Sequence, residues 1–326
     1  MTNIGIVGQG FVGSAVKAGL ETEFNVLTYD KFVEEKTNST LLNIVSKCDV
    51  IFVCVPTPMD MSTGECHIGI VESVVRDIDR LCIDLNVVPT LVVKSTVPPG
   101  TIDGLNDLVA QHCNVTFNPE FLTEANAVND FINQNRIVLG GDKMALRPVV
   151  EIFESAFPGV PIKVTTAATA EMVKYTTNCF LATKVSFANE IYDICRHSHI
   201  DYNEMVDIAK LDTRLGNSHW MVPGPDGDRG YGGHCFPKDM TALRYIASQM
   251  PVATPTLDGA SKTNSNVRKD LDWEEQEGRA VINTKVEAKI LIWERINQIT
   301  SREEQRNGMK TNGKVDLNSK LKQTID

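Results

Sequence analysis

The stretch NIGIVGQGFVG, residues 3–13, decides the fold. Asn3 to Val7 reads as a short buried strand, Gly8-Gln9-Gly10-Phe11-Val12-Gly13 follows at once, and a helical pattern continues to about Leu20. GxGxxG alone is a weak signal. Here it joins a strand to a helix, and Asp30, ending the next strand at residues 25–29, stands 17 positions beyond Gly13. That context reads as a dinucleotide site. Gly8 permits the tight turn, Gly10 lets a pyrophosphate approach the backbone, and Gly13 lets helix and sheet pack closely. Phe11 and Val12 open the helix whose free N–H groups face the phosphates. A carboxylate at Asp30 accepts bonds from both ribose hydroxyls and repels a 2′-phosphate, which favours NAD over NADP. The adjacent cation Lys31 works against that preference.

The alternation continues downstream. Strands are expected at 50–55, 91–94, 115–118 and 137–139, with helices at 70–84, 102–111 and 144–156. Strands alternating with helices indicate a parallel sheet covered on both faces. Thr57 and Thr96 then fall at the carboxyl edge, where ligands bind in open parallel sheets. The pattern stops near Thr165. Residues 168–198 read as one long helix, with Met172, Tyr175, Cys179, Ala182, Val185 and Ala188 at helical spacing. Further helices are expected at about 202–210, 237–249 and 256–266. The reading is an α/β protein. A Rossmann-like parallel-sheet domain spans 1–166, an all-helical central domain with one long helix spans 167–267, and a charged tail spans 268–326. In the tail, Val286, Ile290, Trp293 and Ile296 share one helical face, and residues after about 305 have few apolar anchors.

Composition narrows the function classes. Apolar side chains make up 42% of 326 residues, enough for a large core. The longest apolar run, Val50 to Val55, is far too short to cross a bilayer. The opening MTNIGIVGQG has no leader pattern, so a cytoplasmic protein without a membrane partner is expected. A net charge of −10 argues against general nucleic-acid binding. None of the eight cysteines forms CxxC, and neither His219 nor His234 has metal-ligand spacing, so reduced thiols and no metal are expected.

The most informative segment is Gly230-Tyr231-Gly232-Gly233-His234-Cys235-Phe236-Pro237-Lys238-Asp239. Pro237 suits the first turn of a helix. A helix starting near Phe236 puts Cys235 at its N-terminus, where the dipole favours thiolate. Asp239, four residues on, lies on the same side. A thiol there beside Lys238 is a candidate nucleophile.

Together with Gly8–Gly13, this segment resembles the nucleotide-sugar dehydrogenases, the UDP-glucose 6-dehydrogenase and GDP-mannose dehydrogenase family. That family's signature around its catalytic cysteine is GxGGxCxPKD. VPTP (Val55–Pro58), KSTVPPGT (Lys94–Thr101), NPEFLTEANA (Asn118–Ala127) and EMVKYTTNCFLA (Glu171–Ala182) occur in the family's order. The resemblance covers roughly residues 3–267.

The resemblance implies oxidation of a primary alcohol to an acid in two hydride transfers to NAD, with UDP-glucose giving UDP-glucuronate. It implies that Cys235 captures the aldehyde as a thiohemiacetal, which becomes a thioester and is hydrolysed. Lys174 and Asn178, one turn apart on the long helix, match the family's oxyanion-stabilising pair. Glu120 matches a general base or acid for hydrolysis, and Glu124 a carboxylate near the nicotinamide. Thr96 is implied to hold water and cofactor, Thr57 to face NAD, and Asp239 to orient water or Lys174. Phe121, Leu122, Gly232 and Lys238 are implied to line the substrate alongside Glu120, Lys174 and Asn178. Arg214 matches an arginine that reaches the substrate from the neighbouring subunit, which implies a homodimer built on the long helix. Residues 268–326 show no βαβ run, so the family's usual C-terminal UDP-binding domain is expected to be absent. GDP-mannose and UDP-N-acetylhexosamines are rival substrates. A two-electron 3-hydroxy-acid dehydrogenase, which needs no cysteine, and an NAD-binding module without turnover are the alternatives.

Overall fold

The computed structural model describes residues 2–109 and 112–283. Seven strands form the main sheet, ordered β2-β1-β3-β5-β6-β7-β8. They are β1 (Asn3–Val7), β2 (Asn25–Tyr29), β3 (Val50–Val53), β5 (Thr90–Val93), β6 (Asn114–Phe117), β7 (Ile137–Gly140) and β8 (Ile162–Thr165). The helices between them are α1 (Phe11–Leu20), α2 (Leu41–Lys47), α3 (Gly69–Leu85), α4 (Thr101–Leu108), α5 (Ala127–Ile132) and α6 (Lys143–Ala156). Successive side chains of a strand point to opposite faces. Val50 and Phe52 accordingly join Ile4, Ile6, Val16 and Phe153 on one side, while Ile51 and Val53 join Ile44, Val75 and Leu105 on the other. Both faces of the central β3 are dry, so that strand is apolar throughout.

The sheet is not wholly parallel. β7 pairs antiparallel with β6 through Phe117 and Gly140, and β8 pairs parallel with β7. The connection from β6 to β7 starts and ends at the same sheet edge. It never crosses back, so β7 runs the other way. That edge is where residues 118–126 cluster.

The helical half starts with α7 (Ala167–His197), 31 residues capped by the Thr166 hydroxyl accepting from Thr169 N–H. At about 1.5 Å per residue it spans ~46 Å. Its Glu171 is fully buried and accepts from Gly100 N–H at 2.6 Å and Ile102 N–H at 2.9 Å, which fixes the long helix to the start of α4. α8 (Tyr202–Ala209), α9 (Cys235–Ser248) and α10 (Pro255–Val267) follow. Cys179 and Ala182 of α7 pack with Tyr231, Met240 of α9 and Ala260 of α10.

Residues 268–282 are ordered and return to the first half. β9 (Val281–Ile282) pairs in parallel with β4 (Met59–Asp60), and Trp273 packs on Met59 and Val281. The helix expected around Val286–Ile296 and the stretch after 305 lie outside the described residues. Among the described residues, no helix is long and apolar enough to cross a membrane.

Candidate active site

The glycine-rich turn is built by collision. A Cβ on Gly8, whose φ is +94°, would stand 2.5 Å from the Cys54 carbonyl oxygen, and one on Gly13 would strike the Gly8 carbonyl. Gly10 faces open space, which leaves room for a dinucleotide phosphate at the α1 N-terminus. The Asp30 carboxylate accepts from Gln9 N–H at 2.6 Å and from Phe32 and Val33 N–H. It therefore locks the turn and the β2 end together. Lys31 lies elsewhere, with its Nζ 5.8 Å from the exposed Phe32 ring. The cation that touches the turn is Lys36, whose Nζ donates to Gln9 O at 3.2 Å and Ser14 Oγ at 3.3 Å. These residues fit a dinucleotide.

Thr57 and Thr96 are both buried, and the Thr57 hydroxyl donates to Thr96 O at 2.7 Å. Cys235, Lys238 and Asp239 come from the first turn of α9, Lys174 and Asn178 from one face of α7, and Glu120 to Glu124 from the loop after β6. Lys174 Nζ lies 2.8 Å from Glu120 Oε1 and donates to Glu120 O at 2.6 Å. The other carboxylate oxygen accepts from Leu122 N–H at 2.8 Å. Asn178 Nδ2 donates to Asp239 Oδ2 at 2.6 Å, and Lys238 Nζ donates to Asp239 Oδ1 at 2.5 Å. All five of these side chains are buried. The Phe121 ring stands 4.0 Å from the Arg136 guanidinium carbon and 5.8 Å from Lys174 Nζ.

Electrostatics sort these groups. Burial alone would raise the Glu120 carboxyl, but the Lys174 ammonium holds it below its ordinary range. Burial likewise opposes the Lys174 charge, and Glu120, Cys235 and Asp239 raise it above the usual value. Both shifts describe one ionised pair. Cys235 behaves differently from the thiolate that the helix dipole suggests. Burial, reinforced by Glu120, pushes the thiol up to about 12. Desolvation outweighs the dipole because Cys235 lies among the carboxylates of Glu120 and Asp239 as well as the two lysines.

Arg214 stands apart, exposed and paired with Asp212 at 2.5 Å. Gly232 has a packing reason to be glycine. A Cβ there would stand 2.5 Å from both Arg268 Cζ and Asp272 Oδ1.

Several residues of the site went unforeseen. His234 contacts both Cys235 and Glu124. Lys94 Nζ donates to Asn118 Oδ1 at 2.6 Å beneath the Glu120 loop. Arg268 and Arg279 reach in from beyond α10. His234 and Lys94 occur inside quoted motifs, where their polarity was the available signal. Nothing local marks the two arginines.

Two family models match the chain. The NAD-binding domain of the UDP-glucose/GDP-mannose dehydrogenase family matches residues 29–156, and the central domain of that family matches residues 168–266. A GDP-mannose 6-dehydrogenase of Pseudomonas aeruginosa is 35% identical over 284 residues, covering 83% of this chain and 63% of that protein. A UDP-glucose 6-dehydrogenase of Bacillus subtilis is 35% identical over 226 residues, covering 68% of this chain and 47% of that protein. Among solved structures, a UDP-glucose dehydrogenase from Pyrobaculum islandicum superposes with a TM-score of 0.75 at 28% identity, covering 82% of this chain and 68% of that one. The chain spans between about half and two thirds of the length of these two curated relatives.

Proposed function

This chain belongs to the UDP-glucose/GDP-mannose dehydrogenase family, and from that premise we propose that it oxidises the primary alcohol of a nucleotide sugar to the carboxylate. Bound NAD supplies the hydride acceptor. The observation that carries the reading is the convergence of the buried Glu120–Lys174 pair and the Asn178–Asp239–Lys238 chain on the first turn of α9, which bears Cys235.

In this reading Cys235 adds to the intermediate aldehyde. The oxyanion that forms meets the Lys174 ammonium and the Asn178 amide, one turn apart on a rigid helix. Lys174 is held by Glu120, and Asn178 by Asp239, so neither must reorganise as charge develops. Glu120, ionised and buried, is suited to draw a proton from the water that hydrolyses the thioester. Asp30 and the open face of Gly10 would hold the cofactor, and the buried Thr57 and Thr96 would face it.

The substrate assigned is UDP-glucose. A second reading, GDP-mannose, is favoured by the P. aeruginosa relative, whose similarity extends over 284 residues. Dimerisation through α7 belongs to the proposal. Phe180, Phe187 and Ile194, seven residues apart, form an exposed apolar stripe along that helix. All eight cysteines are free, which suits a reducing cytoplasm.

The test is the NADH formed per UDP-glucose consumed, with Cys235→Ala run in parallel. Two NADH per sugar, abolished in the variant, is the expected result. Failure of UDP-glucose, GDP-mannose and UDP-N-acetylhexosamines alike, despite NAD binding, overturns it.

A further inference from the structure

We propose that His234 is the base that takes the Cys235 thiol proton, oriented by Glu124, so that the site contains a Cys–His–Glu relay. The proposal deepens the reading above and rests on it for the identity of the electrophile.

Three contacts carry the argument. His234 Nε2 lies 3.3 Å from Cys235 Sγ. His234 Nδ1 lies 2.9 Å from Glu124 Oε2. Arg279 Nη2 pairs with the remaining oxygen, Glu124 Oε1. A carboxylate can only accept, so the Nδ1 position carries the hydrogen, and the Nε2 lone pair is left facing sulfur. The ring is held in that pose. It is buried, and it meets the Phe11 ring edge-to-face at 5.0 Å.

The thiol needs such a partner. Cys235 lies among buried carboxylates that oppose its ionisation, and burial holds the thiol proton on sulfur to about pH 12. A resting thiolate is therefore absent at neutral pH, and the proton must leave as attack occurs. The imidazole is suited to receive it transiently. Burial keeps it neutral at rest, and Glu124 favours the imidazolium once formed. The charged groups facing His234 are Glu124, Arg279, Lys238 and Glu120, two of each sign.

The step balances. The S–H bond breaks toward Nε2, the S–C bond forms at the aldehyde carbon, and the carbonyl π pair moves onto oxygen. A neutral thiol, imidazole and aldehyde become a thiohemiacetal oxyanion and an imidazolium. Lys174 faces the first and Glu124 the second.

The test reads the thiol directly. Cys235 of the intact protein is alkylated with iodoacetamide from pH 5.5 to 9.5, and the site is followed by peptide mass spectrometry. In the wild type the rate should rise below about pH 6.5, as the imidazole loses its proton, and stay level through the neutral range. In His234→Asn that rise should vanish, with a rate at pH 7 at least about tenfold lower, and only an alkaline rise should remain. Glu124→Gln, which keeps the shape of the side chain, should reduce the pH 7 rate in the same direction and serves if His234→Asn misfolds. Oxidation of the nucleotide-sugar 6-aldehyde should slow in both variants, more than oxidation of the alcohol to the aldehyde. Wild-type alkylation profiles in a folded His234→Asn protein overturn the relay. Alkylation changes as expected without turnover of any nucleotide sugar uphold the relay and overturn the proposed substrate class instead.

Discussion

Lys174 Nζ and Glu120 Oε1 lie 2.8 Å apart with both side chains buried, so each carries the charge that makes the other tolerable. Removing one partner strands the other, which costs about 3–5 kcal/mol for a buried pair. Lys174→Met should therefore lower the urea midpoint sharply as well as abolish turnover. The pH signs follow from the shifts. Glu120 is lowered in the fold, so its contribution is complete above about pH 4.3 and falls away as pH drops through the folded value. Lys174 is raised, so its contribution is complete below about pH 10.4 and falls away as pH climbs through its own folded value. Urea midpoints of Glu120→Gln/Lys174→Met should vary less at both extremes than those of the wild type. An equally steep profile in the double variant counts against the pair.

Lys94 presents the opposite case. Burial lowers its ammonium to about 8, and its hydrogen-bond partner is an amide, Asn118 Oδ1, rather than a carboxylate. Between about pH 8 and 10.4 the unfolded chain binds more protons than the native one, so the wild type gains stability as pH rises through that window. Lys94→Met should be the more stable protein at pH 7, and its advantage should shrink by pH 9.5. Its kcat should nevertheless fall, because Asn118 at the head of the Glu120 loop loses its donor. Unfolding at the two pH values and steady-state rates check both halves. Destabilisation at pH 7 would show that the Asn118 bond outweighs the desolvation.

Position 232 has no room for a side chain. The Arg268 guanidinium that fills the space has little freedom, since Asp226 and Asp272 hold it at 2.5 and 3.0 Å and the Asp270 carbonyl accepts from its Nε. Gly232→Ala should cost about 1–3 kcal/mol, the usual penalty for overpacking. Its kcat should drop in parallel, because Gly233 N–H is tied to Asp272 Oδ2 at 2.9 Å, two residues before Cys235. Thermal melts and turnover measure the two effects, and an unchanged melt would mean that the arginine yields.

Asp30 holds the turn through Gln9 N–H at 2.6 Å before any ribose is bound. Asp30→Ala should weaken NAD binding by about tenfold or more, close to 1.4 kcal/mol. NADP binding should weaken less, because the repulsion of a 2′-phosphate is removed at the same time. Titration of both cofactors by calorimetry distinguishes these outcomes. Equal losses for the two would assign Asp30 to the turn alone.

The mononucleotide-binding frame was legible because its signals are local. The run NIGIV, the turn Gly8–Gly13 and Asp30 lie within 28 residues, and β3, buried on both faces, is apolar from end to end. β8 escaped notice because IKVT is only four residues long and all four are half-buried or exposed. The reversal of β7 escaped because direction is set by where a connection ends, which no periodicity records. α9 begins at Cys235, within a residue of its expected start, because Pro237 and the preceding glycines mark the boundary. Lys174, Asn178, Glu120 and Asp239 were identified through the family motifs, and the structure brings them into contact. Arg268 and Arg279 act at a distance of 36 to 155 residues from Gly232 and Glu124, and a charge pattern in one segment does not name its partner in another.

Arg268 has a consequence for where this protein can be divided. It stands two residues beyond the matched central domain, which ends at 266, yet it pairs with Asp226, Asp228 and Asp272 around the loop that presents Cys235. The boundary of the inherited domain and the boundary of the mechanically sound one therefore differ. A chain cut or grafted at Val267 would keep every family motif and lose the counter-charge that holds the last of them in place. Any transfer of this helical half to another scaffold has to carry the segment through Ile282, where the chain is anchored against Asp60.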